Sequence, residues 1–171
     1  LALALESGKP LVVDADALSL MAADDRIGHG DWVLTPHPGE AGRLLGVSAA
    51  EIQRDRFAAL ESLAARYGGT VLLKGLGTVI QGEDHLGQQG RALIREGNPG
   101  MASGGMGDVL TGVIAALRGQ GLTSYDAARL GAMIHARAAD ACAARRGPRG
   151  MLATDLLPYL RTELNETCLA E

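Results

Sequence analysis

The sequence predicts an α/β fold in which a mostly parallel sheet is flanked by helices, with a few antiparallel strands. Three short apolar runs, rich in β-branched residues and bounded by turn residues, predict buried strands. They cover residues 11–13, 32–35 and 71–74. A helical segment between the second and third runs completes a strand-helix-strand unit, which predicts right-handed parallel pairing.

The helix between those strands has recognisable ends. Ser48-Ala49-Ala50-Glu51 has the form of a capping box, in which the serine and glutamate side chains pair with backbone N–H groups at a helix start. Apolar residues then recur at helical spacing from Phe57 through Leu60 to Tyr67, and Gly68-Gly69 ends the pattern.

The pattern changes after the third strand. The runs 78–80 and 92–94 lie between glycine-rich turns and predict antiparallel strands added to the sheet. After Asn98-Pro99-Gly100 the remainder is helical: an apolar stripe covers 109–117, a second helix follows Thr123-Ser124, and Thr154 is predicted to cap a last helix. Without internal repeat or linker, residues 1–171 are predicted to form a single domain.

Composition excludes several classes of protein. The chain has 171 residues and a net charge of -4, which argues against nucleic-acid binding because that function requires basic patches. No apolar run is long enough to cross a membrane. Two cysteines without metal-ligand spacing, and no secretory signal, favour a cytoplasmic location. The 24 glycines are about twice the usual share, which directs attention to glycine-rich loops.

The strongest chemical signal is Gly100-Met101-Ala102-Ser103-Gly104-Gly105-Met106-Gly107-Asp108, which leads directly into a helix. Glycines allow backbone N–H groups to converge, and a helix N-terminus adds free donors and partial positive charge. The segment therefore predicts a phosphate site. It is neither a Walker A loop nor a Rossmann fingerprint, because the required lysine and third glycine are missing. Asp108 either caps the helix or takes a proton from a hydroxyl beside the phosphate.

Other polar residues follow the predicted strands, at the edge of the sheet where α/β proteins bind ligands. In Thr35-Pro36-His37-Pro38-Gly39-Glu40, His37 and Glu40 either project into a site or form a proline-stiffened turn with a capping glutamate. Lys74-Gly75-Leu76-Gly77-Thr78 either binds phosphate or a nucleotide base, or makes an ordinary hairpin turn.

Two acidic residues end the first strand. Asp14 and Asp16 lie on the same face and either orient a metal or a hydroxyl, or cap the next helix, the interpretation we favour here. No HExxH motif, GxSxG motif or three-ligand metal cluster occurs. His135 is interpreted as a surface or core histidine.

Four segments in a fixed order carry a resemblance to a known family. The chain closely resembles the NAD(P)H-hydrate dehydratases, and the last of the segments is the most specific. The segments are Val12-Val13-Asp14-Ala15-Asp16-Ala17-Leu18, Leu34-Thr35-Pro36-His37-Pro38-Gly39-Glu40, Leu73-Lys74-Gly75-Leu76-Gly77-Thr78-Val79-Ile80 and Gly97-Asn98-Pro99-Gly100-Met101-Ala102-Ser103-Gly104-Gly105-Met106-Gly107-Asp108.

The resemblance implies a ribokinase-like fold and a repair reaction. The family acts on hydrated NADH and NADPH, in which water has added across C5–C6 of the nicotinamide ring. Bacterial members use ADP and eukaryotic members use ATP, with a divalent cation such as Mg²⁺. Phosphate is transferred to the C6 hydroxyl and is then eliminated, because it is a better leaving group than hydroxide.

The resemblance also assigns roles to residues of this sequence. Asp108 is expected to be the base that deprotonates the hydroxyl, and His37 is expected to contact the hydrated dinucleotide beside it. Glu40 is expected to act near magnesium through ordered water. The expected anion hole consists of Gly105, Met106 and Gly107. The expected nucleotide site consists of Lys74, Gly75, Leu76, Gly77, Thr78 and Gly107.

Further expectations concern the whole protein. Family domains begin with strands and a Gly-Pro-Gly-Leu-Gly motif upstream of the position of Leu1, so residues 1–171 are expected to be the C-terminal portion of such a domain. Members tend to form homotetramers and work with, or are fused to, an NAD(P)H-hydrate epimerase. Two other functions stay open. One is a small-molecule kinase of the hydroxyethylthiazole or hydroxymethylpyrimidine type, and the other is a non-catalytic nucleotide-binding fragment.

Overall fold

A mixed sheet forms the centre of the molecule. The computed structural model describes residues 1–24 and 30–168, with the backbone alone for 166–168, and within this part five strands pair in the order β1-β2-β3-β4-β5. Strands β1 to β3 are parallel, and β4 is antiparallel to both of its neighbours, so four strands point the same way. The predicted sheet is confirmed. Its strands are Leu11–Val13, Trp32–Leu34, Thr70–Leu73, Thr78–Glu83 and Gln89–Ile94.

The central strands end just before the polar residues of interest. All residues of β2 and β3 are buried, as expected for parallel strands covered on both faces. Strand β2 ends at Leu34 and β3 ends at Leu73, so each is one residue shorter at this end than the sequence predicted. Thr35 and Lys74 therefore lie just beyond the strands, at the carboxyl edge of the sheet.

Two layers of helices cover the two faces of the sheet. Alternate strand residues such as Leu34 and Leu73 pack on one layer, and Val33 and Leu72 pack on the other. The first layer contains α1 to α5, which are Ala2–Glu6, Ala15–Ala22, Pro38–Leu45, Ala49–Arg54 and Arg56–Tyr67. The second contains α6, α7 and α8, which are Met106–Gly119, Ser124–Arg146 and Leu157–Cys168.

The segment between β2 and β3 forms three helices where the sequence predicted one. Gly46 adopts a left-handed conformation that ends α3. The predicted capping box at Ser48 and Glu51 is present at the start of α4. Asp55 has an extended backbone that interrupts the helix, and its side chain then caps α5 by accepting from the Ala58 N–H. Phe57, which the sequence placed in the apolar pattern of this helix, is exposed, whereas Leu60 and Tyr67 are buried.

Two helix starts differ from the prediction. The sequence placed the start of α6 at the apolar stripe, but the helix begins at Met106, so the last residues of the glycine-rich segment belong to its first turn. Helix α7 follows Thr123 as predicted, and the Thr123 side chain caps it. Thr154 does not cap α8: a 3-10 turn comes first, and the Leu152 N–H donates to the Asp155 carboxylate at 2.9 Å. In the described part of the chain, none of the helices has the length and apolarity that a membrane crossing requires.

Two apolar residues of α5, Leu63 and Phe57, test how this helix packs on the sheet. Leu63 is fully buried, so Leu63→Ala is expected to lower the free energy of unfolding by about 2–5 kcal/mol. Phe57 is 48% exposed, so Phe57→Ala is expected to cost less than about 1 kcal/mol, although it removes more atoms. Urea denaturation measures both. Equal losses for the two variants would contradict the burial of Leu63 and the exposure of Phe57.

Candidate active site

An ion pair joins the ends of two strands that are separated by β2. Lys74, just after β3, donates from Nζ to Asp14 Oδ1, just after β1, at 2.7 Å. The other carboxylate oxygen, Asp14 Oδ2, accepts from the Thr111 hydroxyl on α6 at 3.2 Å. Both charged side chains are largely shielded from solvent. The pair therefore fixes β1, β3 and α6 relative to one another at the carboxyl edge of the sheet.

The surroundings favour the charged form of Asp14. Burial on its own would raise the pKa of this carboxyl, but the hydrogen bond and the positive charge of Lys74, helped by Thr35, hold the pKa below its ordinary value of 3.8. Asp14 occupies the N-cap position of α2, yet its side chain makes no capping hydrogen bond. The capping interpretation favoured from the sequence is wrong, because both carboxylate oxygens are used by Lys74 and Thr111.

His37 and Glu40 form a reciprocal cap at the start of α3. His37 Nδ1 accepts from the backbone N–H groups of Gly39 and Glu40, at 3.0 and 3.2 Å. Glu40 Oε2 accepts in return from the His37 N–H at 2.8 Å. Because Nδ1 is an acceptor, the proton of the neutral ring is assigned to Nε2. The His37 side chain is half exposed, whereas the Glu40 carboxylate is buried and lies 3.9 Å from Lys74 Nζ.

The segment 74–78, here called the nucleotide loop, leaves the sheet as a glycine-rich turn. Gly75 and Gly77 have φ angles of 146° and 69°, in the region that favours glycine. Leu76 at the tip is 96% exposed, and the Thr78 hydroxyl closes the turn by donating to the Gly75 carbonyl at 3.2 Å. The Lys74 N–H donates to the Pro36 carbonyl at 2.8 Å, so this loop lies beside the His37 segment.

The glycine-rich segment delivers the N-terminus of α6 to the Asp14–Lys74 pair. Gly105 is the N-cap in a left-handed conformation, and Met106, Gly107 and Asp108 form the first turn. A Cβ on Gly107 would lie 3.3 Å from both Asp14 Oδ2 and Lys74 Nζ. The first N–H groups of a helix lack intrahelical partners. The ammonium group and these N–H donors therefore lie together as a candidate anion site, next to the carboxylates of Asp14 and Glu40.

Asp108 has a different environment from Asp14. It is exposed in the first turn of α6, and α6 has no side-chain capping hydrogen bond. Its carboxylate makes no hydrogen bond or ion pair to the residues that the structure describes. Of the two interpretations from the sequence, the one in which Asp108 caps α6 is therefore wrong, because Gly105 occupies the N-cap position. The carboxylate stands free beside the anion site.

Residues distant in sequence anchor the glycine-rich segment. The Asp140 carboxylate on α7 accepts from the Gly97 N–H at 2.8 Å and from Asn98 Nδ2 at 2.9 Å. Asn98 Oδ1 in turn accepts from the Gly100 N–H at 3.0 Å. A side chain on Gly100 would collide with the Pro148 carbonyl. Beside this contact lies an open groove of about 570 Å³ between residues 99–103 and 148–152.

A buried histidine lies beneath the start of α6. Burial lowers the pKa of His135 to about 4, against the opposing effect of a hydrogen bond with the Met106 backbone. The side chain is therefore neutral at neutral pH, and its Nε2 has no hydrogen-bond partner in the described part of the chain. The interpretation of His135 as a core histidine is confirmed.

The structure brings most of the predicted site residues to one edge of the sheet. His37, Glu40, Lys74 and Gly107 are linked by the contacts above, and Asp108 directly follows Gly107. In residues 1–24 and 30–168, no group of three or more candidate side chains could hold a metal ion. Sequence reasoning missed Thr111, which contacts Asp14, and Asp140, which contacts the glycine-rich segment. It also missed Arg56, which contacts the carbonyls of Leu73 and Gly77. The only local sign of these contacts is that each of the three is a polar residue within a helix.

Comparison with solved structures defines the class. A Bacillus subtilis ADP/ATP-dependent NAD(P)H-hydrate dehydratase, crystallised with ATP and Mg²⁺, superposes with a TM-score of 0.82 at 30% identity and covers 95% of this chain and 56% of its own. A pyridoxal kinase from Lactobacillus plantarum superposes with a TM-score of 0.57 at 24% identity, covering 90% and 56% of the two chains, a likeness of fold alone. The sheet and the glycine-rich helix start are those of a ribokinase-like protein.

Sequence comparison narrows the class to a family. Residues 1–162 match the NAD(P)H-hydrate dehydratase profile. The bifunctional NAD(P)H-hydrate repair enzyme of Escherichia coli K12 is 54% identical over 92% of this chain and 30% of its own length. The ADP-dependent (S)-NAD(P)H-hydrate dehydratase of Neisseria meningitidis serogroup B is 41% identical over 90% of this chain and 52% of its own length. The chain belongs to the NAD(P)H-hydrate dehydratase family and spans at most about half of these relatives.

The Asp14–Lys74 pair predicts a specific pH dependence of stability. Because the folded state lowers the Asp14 pKa, the pair contributes in full above pH 3.8 and its contribution is lost as the pH falls through the lower folded-state value. Asp14→Asn is expected to cost about 1–3 kcal/mol at pH 7, because Lys74 then loses its charged partner. The difference from wild type is expected to shrink in strong acid.

Chemical denaturation at several pH values measures this difference. Asp16→Asn is the matched control, since Asp16 is exposed on the same helix and is expected to change stability by less than about 1 kcal/mol at neutral pH. A difference for Asp14→Asn that is unchanged in strong acid would contradict the ion pair.

Proposed function

We propose that the polypeptide carrying this chain converts hydrated NADH and NADPH back to NADH and NADPH, with ADP or ATP as phosphoryl donor. The observation that carries the proposal is the free Asp108 carboxylate beside an anion site built from Lys74 and the N-terminus of α6. A base next to a phosphate site suits phosphoryl transfer to a hydroxyl. The names of the relatives at 54% and 41% identity support the same substrate and donor.

In this proposal the adenine nucleotide lies along the nucleotide loop and Gly107. Lys74, Gly75, Leu76, Gly77 and Thr78 bind it from one side. The ammonium group of Lys74 reaches the anion site, so it neutralises phosphate charge there. Asp14 holds that ammonium group in place at 2.7 Å.

Asp108 acts as the general base in the transfer step. It takes the proton of the C6 hydroxyl, whose oxygen then bonds to the terminal phosphorus of the donor. The bond between that phosphorus and the bridging oxygen breaks, which releases AMP from ADP or ADP from ATP. N–H groups of Gly105, Met106 and Gly107 stabilise the charge on the transferring phosphoryl group.

Elimination follows from the chemistry of the substrate. The lone pair of the ring nitrogen expels phosphate from C6, and loss of a proton from C5 restores the double bond of the reduced nicotinamide. His37 contributes binding: its Nδ1 is held by two N–H groups of α3, so its half-exposed Nε2–H edge is the part available to the hydrated dinucleotide.

Magnesium fits this site as a companion of the nucleotide. Mg²⁺ keeps several waters and binds through one or two carboxylates together with phosphate oxygens. Glu40 Oε2 is used by the His37 N–H, but Oε1 makes only a 3.5 Å contact with His37 Nε2 and is free to accept from a metal-bound water. When bound, the cation neutralises charge on the phosphates of the donor.

We infer the remaining properties from the family. Residues 1–171 are proposed to be part of one dehydratase domain whose upstream segment completes the pocket. The E. coli relative is called bifunctional, which supports a fused or separate NAD(P)H-hydrate epimerase as partner. A homotetramer and a cytoplasmic location follow from the resemblance and from the intracellular origin of the substrates. Size-exclusion chromatography with light scattering measures the number of subunits.

The activity has a direct assay. Hydrated NADH, ADP and Mg²⁺ are incubated with the full-length polypeptide that contains this chain, and the near-ultraviolet absorbance of reduced nicotinamide is expected to return. Phosphate and AMP are expected in equal amounts. A stable phosphorylated product would favour a small-molecule kinase, and the failure of absorbance to return with either ADP or ATP would contradict the proposal. ADP binding without turnover by the isolated 171 residues is the result expected of a non-catalytic fragment.

Asp108→Asn separates catalysis from binding. This change removes the base and leaves the anion site, so kcat is expected to fall by about 10²–10⁴-fold while the dissociation constant for ADP stays within about threefold. Glu83→Gln is the matched control, since Glu83 is an exposed carboxylate at the far end of β4. Turnover near wild type in Asp108→Asn would remove Asp108 from this role.

A further inference from the structure

The guanidinium group of Arg56 lies under the nucleotide loop. Arg56 is the first residue of α5, and its side chain reaches three backbone carbonyls at the end of β3 and in the loop. Nη2 donates to the Leu73 carbonyl at 3.0 Å and to the Gly77 carbonyl at 3.1 Å. Both Nη1 and Nη2 lie 3.4 Å from the Lys74 carbonyl. One planar cation therefore joins both ends of the loop.

This charge is not neutralised by a carboxylate. Among the residues that the structure describes, Arg56 forms no salt bridge, and its other partner is the neutral amide oxygen of Gln53 at 2.8 Å. Partial burial lowers its pKa, yet arginine stays charged at neutral pH. A partly buried cation held by carbonyl dipoles alone adds positive potential beneath the loop.

The loop is shaped around the guanidinium group. A Cβ on Gly75 would lie 2.7 Å from Arg56 Nη1, so only glycine allows this close approach. Because a trans peptide directs its C=O and N–H to opposite sides, a Lys74 carbonyl that faces Arg56 turns the Gly75 N–H away from it. The N–H groups of Gly75, Leu76 and Gly77 make no hydrogen bond within residues 1–24 and 30–168. Of the three, the Gly75 N–H is the donor that the Lys74 carbonyl contact turns to the outer side of the loop, where a ligand can reach it.

We infer that Arg56 is a positioning residue for the nucleoside diphosphate. It holds the Lys74 and Gly77 carbonyls inward, so that the Gly75 N–H on the other side of the Lys74–Gly75 peptide faces the ligand, and its uncompensated charge favours an anionic ligand. The inference rests on the proposed function, because it requires a nucleotide at this loop. Arg56 acts through the loop and does not touch the reacting atoms.

The test compares Arg56→Ala, Arg56→Lys and the control Arg54→Ala in the full-length polypeptide. Arg54 is exposed in α4 and makes no contact with the loop, so its loss matches the change in charge. Titration with a fluorescent methylanthraniloyl-ADP gives the dissociation constant, and steady-state kinetics give KM for ADP and for hydrated NADH separately.

We expect Arg56→Ala to raise the dissociation constant and KM for ADP by about tenfold or more, because the charge-assisted hydrogen bonds to three carbonyls, one at the end of β3 and two in the loop, are lost. Arg56→Lys is expected to give an intermediate value, since one ammonium group cannot match the planar fork. In both Arg56 variants, KM for hydrated NADH is expected to stay within about twofold of wild type. In Arg54→Ala, the dissociation constant and both KM values are expected to stay within about twofold of wild type. Added methylguanidinium is expected to restore ADP binding in Arg56→Ala alone.

The outcomes separate the two proposals. Wild-type ADP affinity in a folded Arg56→Ala protein, while the wild type binds and turns over, overturns the role of Arg56 and leaves the proposed function standing. A wild type that binds neither ADP nor ATP overturns both, and one that binds ATP alone overturns only the role of Arg56 toward a nucleoside diphosphate. A fall in thermal stability without a change in KM for ADP shows a purely structural residue and also overturns the inference. If Arg56→Ala does not fold, Arg56→Lys decides by the same measurements.

Discussion

The contact between the Lys74 ammonium group and the Asp14 carboxylate determines the geometry of the candidate active site. It joins the carboxyl ends of β1 and β3, which are not neighbours in the sheet, and Thr111 adds α6 to the same carboxylate. A partly buried ion pair is costly to form and strongly directional once formed, so it defines position more than it adds stability. Gly107 completes the arrangement, because the ammonium group can approach the helix N-terminus only where no side chain intervenes.

Two aspartates at this edge have opposite environments, which suits opposite tasks. Asp14 is shielded, hydrogen-bonded and held ionised by Lys74, so it orients a cation. Asp108 is exposed and unpaired next to helix N–H groups, so its carboxylate is available to a substrate proton. One fold thus supplies a shielded carboxylate that holds a cation and an exposed one that we propose as the base. Gly107 lies against the first and directly precedes the second.

The two glycine-rich loops depend on polar anchors from distant helices. Arg56 on α5 holds the nucleotide loop through its carbonyls. Asp140 on α7 holds the start of the glycine-rich segment before α6 through Gly97 and Asn98. Glycine-rich backbone has high conformational entropy in the unfolded state, so a preformed loop needs such external hydrogen bonds. The glycine-rich loops and these partly buried anchors are therefore complementary, because the anchors fix loops that glycine makes flexible.

Local patterns were enough to predict the strands, the direction of the sheet and the segments that carry the site. They depend on alternation, helical spacing and turn residues, which are properties of neighbours along the chain. Local patterns did not predict which residues of the site contact one another. Asp14 contacts Lys74, which is 60 residues away in the sequence, and Thr111, which is 97 residues away. The break at Asp55 and the Arg56 contact were missed for the same reason. A polar side chain finds its partner through the packing of whole helices on the sheet, and no spacing in the sequence encodes that distance.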